Sequence, residues 1–136
     1  MKDLSNKSAI VVGASRGLGQ GIANALGEAG AEVVAVSRTQ ATNPEAHNSP
    51  ANIHDEIADA PDPTVAARFL DRYEADIVVL VAGATPHMRP LRQQTWETFS
   101  IHWHNDVRVA FNWVREALLK PMRPGSRVVV SAAERS

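Results

Sequence analysis

Short apolar runs alternate along this chain with longer stretches of helical spacing, and that alternation predicts most of its elements. Ser8 to Val12 (SAIVV) is a β-branched run that stops at glycine and reads as a buried strand. From Gly17 to Ala29 the apolar residues Leu18, Ile22, Ala25, Leu26 and Ala29 recur on one helical stripe, which Gly30 closes. Glu32 to Ser37 (EVVAVS) is a second buried strand, so the first three elements form a βαβ unit with parallel strands. Residues 39–51 are polar, hold two prolines and show no period, which predicts a flexible loop. A short third strand falls between Asn52 and Ala58. Pro63 opens an amphipathic helix marked by Val65, Ala66, Phe69, Leu70 and Tyr73.

Asp76 to Ala82 (DIVVLVA) is the most continuous apolar run and predicts a central strand covered on both faces. Thr95 to Lys120 then reads as one long helix. Its apolar stripe is Trp96, Phe99, Trp103, Val107, Ala110, Val114 and Leu118, with Ile101, Phe111 and Trp113 off that stripe. A helix apolar on more than one face needs a second partner, and self-association through residues 95–120 is expected. Arg127 to Ser131 is the last strand. The order β-α-β-loop-β-α-β-α-β predicts a doubly wound α/β sheet of Rossmann type, with about five parallel strands in a single domain over residues 1–136.

Composition narrows the chemistry. A chain of 136 residues with 44% hydrophobic and 21% charged positions has ordinary globular composition, which excludes global disorder. Lys and Arg total 14 against 15 Asp and Glu, so no cationic excess exists to neutralise a nucleic-acid backbone. The absence of cysteine removes disulfides, zinc–thiolate sites and thiol nucleophiles. No apolar run approaches the ~20 residues of a membrane span, and no signal peptide is apparent at the N-terminus, so a soluble cytoplasmic protein is expected. His102 and His104 are two residues apart, which on a helix turns them away from one another and predicts no metal site.

The chemistry-bearing segment is the first strand-to-helix turn, VGASRGLG. Gly13, Gly17 and Gly19 stand where a tight turn, close approach to a phosphate and close helix–strand packing each favour glycine. The helix that follows offers free N–H groups to a pyrophosphate. Two other readings of the same residues are a turn with no ligand and a serine-hydrolase nucleophile elbow centred on Ser15. Against the elbow, Ser15 follows the first strand, so no upstream loop supplies a second oxyanion donor. At the end of the second strand stand Ser37 and Arg38, with no carboxylate to accept from a ribose 2′-hydroxyl. With Arg16 in the turn, a hydroxyl and two guanidinium groups favour the 2′-phosphate of NADP over NAD.

Taken together these residues resemble the short-chain dehydrogenase/reductase family over essentially the whole chain. Gly13, Gly17 and Gly19 match its TGxxxGxG turn, with Val12 in place of the Thr. Ala82-Gly83-Ala84 matches the end of its NNAG motif, with Leu80 and Val81 in place of the asparagines. The resemblance implies a cofactor site of Gly13, Ser15, Arg16, Gly17, Leu18, Gly19, Ser37, Arg38, Glu56, Ala82, Gly83 and Ala84. Glu56 and Asp59 fall near the family's acidic motif on the adenine side. It further implies catalytic remnants in Asn105, which holds a proton-relay water in the family, and Ser131, where the family's serine pair reads Ser131-Ala132. The implied activity is NADP(H)-dependent hydride transfer between nicotinamide and a small-molecule carbonyl or alcohol. The family's acid/base tyrosine is followed four residues later by a lysine, but the one tyrosine here, Tyr73, is followed by Ile77. With no Tyr-x-x-x-Lys, a dinucleotide-binding or regulatory module without turnover is the alternative expectation.

Overall fold

The structure, a computed structural model, describes residues 3–14, 17–38, 52–81, 90–101, 103–120 and 122–131. The elements are β1 (Ser8–Val12), α1 (Gly17–Glu28), β2 (Glu32–Ser37), β3 (Ile53–Ile57), α2 (Pro63–Arg72), β4 (Ile77–Val81), α3 (Trp96–Phe99), α4 (Arg108–Leu119) and β5 (Arg127–Ser131). All strand pairs are parallel, in the order β3-β2-β1-β4-β5. The chain runs outward from β1 to β2 and β3, then returns to β4 on the other side of β1. The C-terminal ends of β1 and β4 therefore flank a topological switch point, where ligands of such sheets bind. The loop expected over 39–51 lies outside the described residues.

Strand parity divides the core into two layers. Ile10, Val12, Val34, Val36, Val78 and Leu80 face α2 and α4, where Phe69 and Trp113 fill the space. Ala9, Val11, Val33, Ala35 and Val79 face α1. On this second face α1 buries Gly19, Ala23 and Gly27, flanked by Ile22 and Leu26. The stripe expected through Leu18 is thus displaced, and Leu18 itself is 56% exposed. The reason is closeness: the sheet offers alanines here, and a helix resting on its small residues approaches further than one standing on leucines. Gly30 ends α1 with φ of 102°, the left-handed conformation of a C-terminal glycine.

Polar groups fasten the strand starts. Asp76 Oδ2 accepts from the Ser8 amide (3.0 Å) and from Arg123 Nη2 (2.9 Å), tying β1, β4 and the approach to β5 together. Asn52 donates to the carbonyls of Gly27 (2.9 Å) and Ala31 (2.5 Å), anchoring the entry to β3 on the α1–β2 corner. Asp62 caps α2 by accepting from the Thr64 amide at 2.9 Å, with Pro63 in the first turn.

The single helix expected over 95–120 is divided: α3 is short, Trp103–Val107 forms a π-turn, and α4 follows. Its buried face also differs from the expected stripe. Trp96, Phe99, Trp103, Val107 and Leu118 are exposed, whereas Asn112 and Trp113 are buried. Trp113 stands 6.2 Å from Phe69 between ring centroids, so α2 decides which face of α4 turns inward. On β5, Val128, Val129 and Val130 remain partly exposed, as expected of an edge strand. Replacing Trp113 by Ala should lower unfolding free energy by about 3–5 kcal/mol, whereas Phe111→Ala should change it by about 0.5 kcal/mol or less. Urea denaturation of both variants checks the assignment of the inward face.

Candidate functional site

Gly13 leaves β1 with φ of 87°, and its amide donates to the Val36 carbonyl at 2.9 Å. The Ala14 amide reaches the same carbonyl at 3.3 Å, so the turn is held against the end of β2, two residues before Arg38. A Cβ on Gly13 would come within 2.6 Å of the Val81 carbonyl oxygen on β4. A Cβ on Gly19 would overlap the Gly13 carbonyl. Both glycines are therefore required by contact between backbones. Gly17 differs: it opens α1 with φ of 59°, and among the described residues nothing lies within 4 Å of where its Cβ would be. It begins a 12-residue helix, whose leading N–H groups lack partners within the helix.

Around this mouth the sheet gathers other expected residues. Ser37 is half-buried at the end of β2, while Arg38 is exposed and pairs with no carboxylate among the described residues. The Ala58 amide donates to the Ser37 carbonyl at 2.9 Å, bringing the loop after β3 to the same corner. Ser131 ends β5 in register with Val81, level with the strand end against which Gly13 packs. Asn105 lies in the π-turn, its side-chain amide donating to the Ile101 carbonyl at 2.8 Å. Such turns interrupt helices most often where a functional side chain must be re-aimed. Ser15, Arg16, Ala82, Gly83, Ala84 and His102 lie outside the described residues.

Glu56, expected on the adenine side, has partners on β3, on α2 and just beyond α2. Its Oε1 accepts from the Tyr73 hydroxyl and meets His54 Nε2, each at 3.1 Å, with Arg72 at 3.8 Å. Partial burial pushes this carboxyl up, but the His54 and Tyr73 hydrogen bonds and the His54 and Arg72 charges outweigh it. The net effect holds its pKa below the usual carboxylate value. Burial and then the Glu56 hydrogen bond and charge push Tyr73 above the ordinary phenol value, against a smaller opposing pull from Arg72. The acid exposed at the corner is Asp59, just beyond Ala58. The spacing of EIAD located this strand end; the hydroxyl that bonds Glu56 comes from Tyr73, 17 residues away in chain order. Among the described residues no cluster of His, Asp and Glu offers a metal site, and no helix is long and apolar enough to cross a membrane.

The family model for short chain dehydrogenases matches residues 7–133. The chain belongs to the short chain dehydrogenase family. It is 36% identical over 141 aligned positions to versicolorin reductase 1 of Aspergillus parasiticus, covering 96% of this chain and 53% of that protein. A short chain dehydrogenase from Burkholderia cenocepacia, solved in complex with NADP, superposes with a TM-score of 0.74 at 25% identity, over 95% of this chain and 56% of that one. A short chain oxidoreductase from Pseudomonas aeruginosa, described as having an atypical catalytic center, gives a TM-score of 0.80 at 25% identity, over 94% and 53%. The chain thus spans about half the length of these relatives.

Short chain dehydrogenases bind nicotinamide dinucleotides, and the glycine turn fits one: two glycines hold the backbone tight, and no described residue crowds the third at the helix mouth. In this family member Gly17→Ala should cost about 1–2 kcal/mol through its left-handed φ. Gly19→Ala should cost about 3 kcal/mol or more, because backbone must move. Urea denaturation of the two variants tests that order; equal losses would mean that α1 is not held against Gly13.

Proposed function

We propose that the chain is the cofactor-binding part of an NADP(H)-dependent oxidoreductase acting on a small carbonyl or alcohol. The observation that carries this reading is the corner where the glycine turn meets β2: a helix mouth that no described residue covers at Gly17, Ser37 at the strand end, and an exposed Arg38 that pairs with no described carboxylate. Amides of the first α1 turn, around Gly17, Leu18 and Gly19, bind the pyrophosphate. Ser37 and Arg38, joined by Arg16, take the 2′-phosphate, since a guanidinium matches a phosphate both in charge and in geometry. By family likeness Glu56 and Asp59 would lie on the adenine side, and Ala82, Gly83 and Ala84 would carry the ribose contact. The bound nicotinamide supplies or accepts the hydride. By family likeness, Ser131 would orient the substrate oxygen and Asn105 its water. The NADP-bound neighbour and the reductase relative support this reading.

A second reading, binding without turnover, is favoured by one observation: Tyr73, the single tyrosine, is committed to Glu56 and has no lysine four residues on. NADPH should bind more tightly than NADH, followed by nicotinamide fluorescence, and Arg38→Glu should weaken NADPH by roughly tenfold or more while leaving NADH little changed. Equal losses for both would remove the 2′-phosphate assignment. A carbonyl panel then separates the readings: turnover supports the oxidoreductase, binding alone the module.

We further propose that α4 joins two copies of the chain. Phe111, Val114, Arg115, Leu118 and Leu119 line an open groove of about 410 Å³, with Leu118 77% exposed. Apolar surface of that kind on a helix is commonly covered by association. Sedimentation should show a dimer that Leu118→Glu converts to monomer; a monomeric parent chain would overturn this proposal.

A further inference from the structure

Asn112 is a buried polar residue on α4, at 9% exposure, within a face otherwise filled by Trp113. A buried amide is unfavourable unless it is hydrogen-bonded, so an apolar residue would serve packing better. The Asn112 side-chain nitrogen donates to the Pro61 carbonyl at 2.9 Å. Proline carries no N–H, and a carbonyl only accepts, so the donor nitrogen must face it. Pro61 precedes the Asp62 cap, so this carbonyl lies outside the hydrogen-bond ladder of α2.

The bond therefore acts on the loop between β3 and α2. That loop is fastened at three points: Ala58 N–H to the Ser37 carbonyl (2.9 Å), Asp62 N–H to the Asp59 carbonyl (3.0 Å), and Asn112 to Pro61. Between the first and last fastenings sits Asp59, exposed beside the Ser37–Arg38 corner. The first ties the loop to the end of β2, and the third ties it to α4, the helix that carries the Asn105 π-turn at its start.

We propose that Asn112 is a positioning residue for the adenosine half of the dinucleotide, acting through Pro61 to fix the loop that carries Asp59. The proposal rests on the dinucleotide reading above. It touches no ligand; it sets where the loop stands when the ligand arrives, and it links that loop to the same helix that presents Asn105.

The test uses adenosine 2′,5′-bisphosphate, which occupies the adenosine end alone, with the full chain and Asn112→Leu. Affinity by calorimetry should fall roughly 5- to 20-fold in the variant. Amide exchange at Ala58 and Asp62, whose N–H groups are bonded in that loop, should speed up while that of β1 and β4 stays unchanged, measured well below both melting temperatures. A merely structural Asn112 would lower the melting temperature and leave affinity and local exchange alone, which overturns the proposal. Should the leucine variant not fold, Asn112→Ala is read in the same way. If the parent chain fails to bind the bisphosphate, the dinucleotide reading itself falls, and this proposal with it; binding by the parent and an unaltered variant removes this proposal alone.

Discussion

The close seat of α1 on the sheet is the constraint on which the rest depends. Gly19 lies so near the Gly13 carbonyl that no side-chain carbon fits between them, and a Cβ on Gly13 would in turn come within 2.6 Å of the Val81 carbonyl oxygen. The helix continues that contact through Ala23 and Gly27, over Ala9 and Ala35 of the sheet. Because the helix is drawn in, its first amides open over the ends of β1 and β4 rather than beyond them. A dipole and a few free N–H groups act only at short range, so lifting α1 would take the amides out of reach of any ligand resting on the strand ends.

Small residues pack little surface, so the α1 face contributes modestly to the hydrophobic total. The opposite face compensates. Ile10, Val34, Val78 and Leu80 meet Phe69 and Trp113 there, and burial of such side chains is worth about 1.5–3 kcal/mol each. Alternate residues of the same strands therefore serve different ends: one parity gives bulk and holds α2 and α4, the other gives thinness and admits α1.

Much of this was legible in the sequence. Central parallel strands are apolar on both faces, so SAIVV, EVVAVS and DIVVLVA stand out without any tertiary knowledge. The glycine spacing was legible for a related reason, since only backbone contact demands it at Gly13 and Gly19. The inward face of α4 was not. That helix is apolar on two sides, and the choice is made by Phe69 on α2, more than forty positions earlier. Polar fastenings such as Asn112 to Pro61 and Asp76 to Ser8 join residues distant along the chain, and no local period announces them. Glu56 shows the same limit, its strand being readable and its carboxylate's direction not.

Tyr73 brings these threads to bear on turnover. A tyrosine that gives and takes a proton near neutrality needs a cation to bring its pKa down toward the working pH. Tyr73 is placed the other way: it stacks on Phe69 with ring centroids 5.9 Å apart, its hydroxyl donates to Glu56, and its pKa is pushed upward despite Arg72. Its linkage to stability follows the same sign. A raised phenol favours the folded state while protonated, and that contribution is lost only as pH climbs above the ordinary value near ~10. The residue thus joins β3 to α2 through its bond to Glu56, and its raised pKa keeps it protonated across the neutral range. On the proposed reading, the proton of any reduction passes through a group other than Tyr73, whose hydroxyl is bound to Glu56.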